Sequence, residues 1–437
     1  MDYIKEKLLK KGNQERQIVK KLAKEHGDLQ LDTVSMGQVL TGMKGVTSLL
    51  TVTSKLDPES GIRFRGYSIP ELQEKLPKLN PEGEPLPEGL FYLMLLDELP
   101  TVEDVQYLTN EWTKRNKVPG HVFDVINALP PTSKPMTQFS TGIMAMATES
   151  LFQKAYREGV PKDEYWDTTY EDVMNLIAQL PTIAAYIYRR NYQGGDIIPP
   201  NPKLDWAANF AHMMGYDSEE VYRLFRLYLF LHADHEGGNV SAHTTHLVSS
   251  ALSNPFYAYA AGMTGLAGPL HGYANQEVIR WIKGMLEEIG PCGCADDEKK
   301  KIANYVKNYI SEGKVIPGFG HAVLRVTDPR YTAQKKFAEK YIKDDHLIDV
   351  VNCMYEVVPP VLQSLGKVKN PWPNVDAYSG SLLTHYGIDE YFFYTVMFGV
   401  SRALGVLAQL VWDRIYALPI ERPKSQTLHW FKEQAGI

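Results

Sequence analysis

Apolar residues recur at helical spacing through most of this chain, and strand-like alternation is rare. TVED at Thr101–Asp104 is a capping box followed by apolar positions three and four apart, which predicts a helix. DSEE at Asp217 opens a second, with Val221, Leu224, Phe225 and Leu229 on one face and an expected cap at Gly237-Gly238. ANQEVIRWIKGML, DEKKKIANYVKNYI and PRYTAQKKFAEKYI follow the same period; in the last, Asp328 suits the cap and Pro329 the first helical position. The first 27 residues form a charged amphipathic helix. Pro181 falls inside the helical pattern from Tyr170 to Tyr192 and is expected to kink or break it. Only LLTVTS and GIRFRGYSI, separated by KLDPES, suggest a small ribbon. Without repeats or strand–helix alternation, the pattern predicts an all-α fold of many packed helices.

A chain of 437 residues exceeds one minimal core, so two domains are expected. The net charge of −6 argues against a general polyanion binder such as a nucleic-acid protein. Cys292, Cys294 and Cys353 have neither zinc-knuckle nor redox spacing and read as free thiols of a reducing compartment. Tyr394–Trp412 is the longest apolar run, but Arg402 stands in its middle, so no membrane span is expected. The N-terminal segment lacks the acid-poor bias of a transit peptide.

Arg402 poses a burial problem, because a guanidinium in an apolar helix needs an anion. That anion is either a core carboxylate or part of a ligand. Arg330, in a first helical turn, and Arg422, in the Pro-marked LPIERPKS, are ordinary solvated charges unless they converge with Arg402 on a di- or tricarboxylate.

Three ionisable residues sit in Gly- and Pro-marked segments: His271 in GLAGPLHG, His321 in VIPGFGHAVLR and Asp376 in NPWPNVDAYSG. His271 precedes a helix start, where a neutral imidazole can donate a hydrogen bond to developing negative charge. Gly318 and Gly320 let backbone approach a ligand closely. Asp376, in a Pro-restricted loop, suits a general base if partial burial raises its pKa. Each could equally be structural. His232, His235, His243 and His246 form two pairs three residues apart, and a zinc hydrolase is the rival enzyme reading; a helical scaffold is the non-enzymatic one.

LDPESGIRFRGYSIPELQ, HADHEGGNVSAHTTHLVSSALS, GLAGPLHGYANQEV, VIPGFGHAVLRVTDPRYT, KNPWPNVDAYSG and FGVSRALGVLAQLVWDR with ERPKS together resemble the citrate synthases of eukaryotic mitochondria, nearly end to end. The resemblance implies an all-α homodimer with a large domain (1–272 and 387–437), a small domain (273–386) and the active site in the cleft between them. It implies condensation of acetyl-CoA with oxaloacetate and hydrolysis of citryl-CoA, with acetyl-CoA as a substrate, no metal, and a mitochondrial location. Propionyl-CoA use, giving 2-methylcitrate, is an alternative within the family. By resemblance, Asp376 is the base, His271 stabilises the enol and His321 donates to the oxaloacetate carbonyl. His235, Asn239, Arg330 and Arg402 hold oxaloacetate, and Arg422 reaches it from the other subunit. Val315, Ile316, Pro317, Gly318, Gly320, Arg325, Lys367 and Asn374 are the implied CoA contacts. Thr41 and Lys162 stand where the family has CoA-contacting arginines, and Tyr378 replaces its histidine two residues past the base.

Overall fold

The computed structural model describes residues 2–321, 323–366 and 370–437. Helices dominate it, as the periodicity predicts, around one helix, Tyr394–Tyr416, that is buried along its whole length. This helix is long and apolar enough to cross a membrane by length and composition, yet protein covers all of its most apolar stretch. Against it pack the helices Tyr165–Tyr192, Pro87–Leu96, Val240–Ser250 and the N-terminal Tyr3–Glu25. The helices Ala274–Ile289, Asp296–Ser311, Pro329–Tyr341, His346–Ser364 and Asp376–His385 pack chiefly on one another.

The expected helix starts are present. Thr101 and Asp104 close the capping box of Val102–Arg115, and Asp328 caps Pro329–Tyr341 with proline in its first turn.

Four local expectations are corrected. Pro181 does not break its helix, which runs unbroken from Tyr165 to Tyr192. Proline leaves the carbonyl four residues back without its helical donor, and the indole Nε1–H of Trp206 donates to that carbonyl, Ile177, at 3.0 Å. The ribbon's first strand is Ser54–Asp57, not LLTVTS; it pairs antiparallel with Gly61–Phe64, which pairs with Tyr67–Ser68. Residues ahead of it are held by side chains instead: Gln409 Oε1 accepts from Val52 N at 2.9 Å, and Thr53 Oγ1 donates to Asp234 at 2.6 Å. The helix heralded by DSEE is capped by Ser218 and ends at Leu231, six residues before the glycines. Asp376 is the first residue of a helix rather than part of the preceding loop.

The early end at Leu231 positions the site. Residues 232–239 leave the helix and lie against the central helix, where Gly405 donates its N–H to Ala233 O at 3.1 Å. A β-carbon at Gly405 would stand 2.3 Å from the Asp234 side chain, so only glycine admits the loop there.

Candidate active site

The loop 232–239, the central helix and the ends of three other segments line an open cleft. His235, Asn239, His271, His321, Arg330, Asn374, Asp376 and Arg402 all line it. Eight residues expected from distant motifs thus share one cavity.

Backbone contacts set the proton positions of two imidazoles. Ser241 N–H donates to His271 Nε2 at 3.3 Å, and the Ser241 hydroxyl oxygen lies 2.9 Å from the same nitrogen. An accepting Nε2 leaves the proton on Nδ1 in the neutral ring, and Nδ1 has no partner among the described residues. His321 is the mirror case. Its Nδ1 accepts from Val323 N at 3.0 Å and Leu324 N at 3.1 Å, which leaves the proton on Nε2. The ring of His235 lies 5.5 Å from that of His321, and its buried Nε2 has no hydrogen-bond partner among the described residues.

Charge is distributed unevenly. Burial, reinforced by Arg402, pushes His271 down to about 4. Burial, reinforced by Arg330, takes His321 down to about 4. Burial and Arg330 place His235 well below the ordinary imidazole range. All three are therefore neutral hydrogen-bond donors or acceptors near pH 7. Asp376 moves the other way: burial raises it to about 6, against the opposing pull of Arg330. A helix N-terminus favours a carboxylate, so the upward direction shows that desolvation dominates. At neutral pH it is mostly ionised, yet basic enough to take a proton.

Two cations face these groups. Arg402 is 1% exposed, and no carboxylate among the described residues lies within ion-pairing distance of it. Its Nε donates to His232 O at 3.2 Å, and one terminal nitrogen lies 3.3 Å from both Asn239 Oδ1 and Ser241 Oγ. Its guanidinium stacks 4.7 Å from the Phe398 ring. The core salt bridge open at the sequence level is thus not formed. Burial lowers its pKa to about 10, still far above neutrality. Arg330 is not a solvated charge: it is buried, and Asp328 grips its Nε and one terminal nitrogen, the shortest contact 2.7 Å. That grip fixes the fork while the residue lines the cleft.

Asn374 serves as a clasp. Its Nδ2 donates to Gly320 O at 3.1 Å and its Oδ1 accepts from Asp376 N at 3.0 Å, tying the His321 loop to the Asp376 helix. Gly318 has φ +79°, and a β-carbon there would meet Ala377 Cα at 3.0 Å, so glycine lets these loops pack. Ser241, Phe398 and Asp328 are site residues that sequence reasoning missed or took only as a cap. Phe398 lies one helical turn before Arg402, a spacing that could have marked it.

Other expected residues stand apart from the cavity lining. Val315, Ile316, Pro317, Gly318 and Gly320 form the neighbouring loop, with Val315 exposed and Ile316 buried. Arg325 donates to the carbonyls of Val323 and Leu324 at 2.7 and 2.9 Å. Lys367 lies outside the described residues. Arg422 is exposed on the irregular segment beyond the central helix and does not line its own chain's cleft. Thr41 and Lys162 are exposed, while Tyr378 is buried and donates to Asn352 at 3.2 Å. His232 is also buried, and its Nδ1 lies 2.8 Å from Tyr228 O; His243 and His246 face Glu421 instead. Among the described residues, no three His, Cys, Asp or Glu side chains gather into a metal-holding group.

Residues 42–424 match the family model described as "Citrate synthase, C-terminal domain". The chain is 56% identical over 419 residues to the mitochondrial citrate synthase of Daucus carota, covering 96% of this chain and 88% of that protein. It is 55% identical to citrate synthase 4, mitochondrial, of Arabidopsis thaliana, covering 95% and 86%. The crystal structure of citrate synthase from Pyrobaculum aerophilum superposes with a TM-score of 0.76 at 30% identity, over 89% of this chain and 91% of that one.

Proposed function

The chain belongs to the citrate synthase family, and from that premise we propose which side chain carries each step in its cleft. The reaction is the family's acyl transfer: acetyl-CoA, oxaloacetate and water give citrate and CoA, in the mitochondrion.

Asp376 takes a proton from the acetyl methyl group. That carbon acid is weak, so the developing enolate needs a donor at its oxygen. His271 supplies it through Nδ1–H, which its contacts with Ser241 hold free. The nucleophilic carbon attacks the oxaloacetate carbonyl carbon, and His321 donates Nε2–H to the carbonyl oxygen as it becomes the citryl hydroxyl. Water then cleaves the thioester of citryl-CoA. Arg330, Arg402, His235 and Asn239 hold the oxaloacetate carboxylates and carbonyl. Orientation of this kind supplies a large part of the barrier reduction.

The cleft divides a small domain, 273–386, from a large one formed by both flanks. Packing among helices 274–385 supports that division. The loop from Val315 to Gly320, Arg325, Lys367 and Asn374 take the CoA portion. The active form is a homodimer in which Arg422 enters the cleft of the second copy. Its exposure on a tail outside its own cleft supports this assignment.

The observation that carries the proposal is the buried, carboxylate-free Arg402 facing Asp376 and two proton-oriented histidines across one cavity. The test is thiol release from acetyl-CoA by the purified protein, with and without oxaloacetate. Release that depends on oxaloacetate is expected; thiol release independent of it, or none, overturns the assignment.

A further inference from the structure

His243 and His246, the second histidine pair, are not used in the cleft, and they face something else. Helix Val240–Ser250 presents His246 between two carboxylates: Nδ1 lies 2.7 Å from Asp413 of the central helix, and Nε2 lies 2.7 Å from Glu421 of the tail. His243 Nε2 lies 3.2 Å from the other Glu421 oxygen, and Glu421 N donates to Ser250 Oγ at 3.0 Å. Three residues of one helix thus grip one tail residue. The next residue is Arg422, exposed and without a hydrogen bond or ion pair among the described residues. The central helix ends at Tyr416 with Ala417 as its left-handed cap, φ +54°, and the chain beyond it has no regular structure as far as Thr427.

We propose that His246 is a positioning residue for oxaloacetate: as an imidazolium bridging Asp413 and Glu421, it pins the tail so that Arg422 is presented in one place. This rests on the assignment of Arg422 to the second copy's cleft. A carboxylate oxygen is an acceptor only, so Nδ1 must carry the proton in its hydrogen bond to Asp413, while Glu421 stands within ion-pairing distance of Nε2 and favours a second proton there by its charge. Burial and Arg414 oppose the imidazolium, but the hydrogen bond to Asp413 and the charges of Asp413 and Glu421 outweigh them and raise its pKa. The other titratable groups around it are His243 on its own helix and Asp234 and Glu236, which line the same small cavity from the 232–239 loop. Gln409 donates to the second Asp413 oxygen at 2.9 Å and so fixes the carboxylate that orients the ring. A released tail would spread Arg422 over many positions and lower its effective concentration at the ligand.

The experiment compares oxaloacetate KM, acetyl-CoA KM and kcat for the full chain carrying His246→Asn, Glu421→Gln, Arg422→Ala or His246→Asn with Arg422→Ala. Both tail-releasing variants are expected to raise oxaloacetate KM about tenfold, with kcat within about twofold, as expected for lost ground-state binding. The double variant should be no worse than Arg422→Ala, because both act through one contact. Wild-type oxaloacetate KM should climb as pH rises through the raised pKa of His246, and this limb should vanish in His246→Asn. If His246→Asn does not fold, Glu421→Gln at the half-buried start of the tail decides. A weakened Arg422→Ala beside unaffected His246→Asn and Glu421→Gln overturns the positioning role and leaves Arg422 in place. A normal Arg422→Ala removes the assignment beneath it. Multiplying penalties in the double variant would show that His246 acts elsewhere, against the proposal.

Discussion

The histidines of the cleft and the histidine beneath the tail have their pKa values displaced in opposite directions. In the cleft, His235, His271 and His321 are buried beside arginines, and all three are pushed far below neutrality. Outside the cleft lining, on helix Val240–Ser250, His246 lies between Asp413 and Glu421 and is pushed upward. Desolvation disfavours the charge in both places; only the second supplies counter-charge enough to override it. The lesson is that one side chain is held neutral where burial is reinforced by arginines and is drawn toward its charged form where carboxylates flank it. A neutral donor suits a reaction in which an oxyanion develops, because it need not surrender a bound counter-ion first.

Removing the carboxylate that faces the neutral donors should have the largest effect. Asp376→Ala is expected to cut kcat by about a thousandfold, within the range for a general base, while calorimetry finds oxaloacetate binding nearly intact; retained turnover would break the assignment. His321→Ala and His271→Ala should each cost about a hundredfold in kcat, as for loss of one oxyanion donor. Steady-state kinetics showing only raised KM would mean that they bind rather than activate. Arg402→Lys should weaken oxaloacetate binding by about tenfold to a hundredfold, since an ammonium cannot reproduce the planar fork; unchanged affinity would return Arg402 to a purely structural role. The smallest effect is on pH. The kcat/KM for acetyl-CoA should fall as pH drops through about 6, where Asp376 takes up a proton and ceases to be a base. No second limb from His271 or His321 should appear between pH 5 and 8, because both titrate near 4.

Much of this was legible locally. Capping signals at Thr101 and Asp328 mark true helix starts because a cap is settled within four residues. The three segments holding His271, His321 and Asp376 stood out by their glycines and prolines, and they share one cavity. What escaped depends on residues far away in sequence. The helix ends at Leu231 rather than at the glycines, its backbone then held by Gly405 and Arg402, some 170 residues on. Pro181 is tolerated because Trp206 supplies a donor that no local rule could anticipate. The partner of Arg330 was visible two residues away as Asp328, but its capping role hid its second function.

The direct test of this division is neutron diffraction near pH 7, which locates the exchangeable protons on each ring. One proton on His271 at Nδ1, one on His321 at Nε2, and two on His246 are expected. A doubly protonated His271 or His321, or a His246 bearing a single proton, would contradict the account.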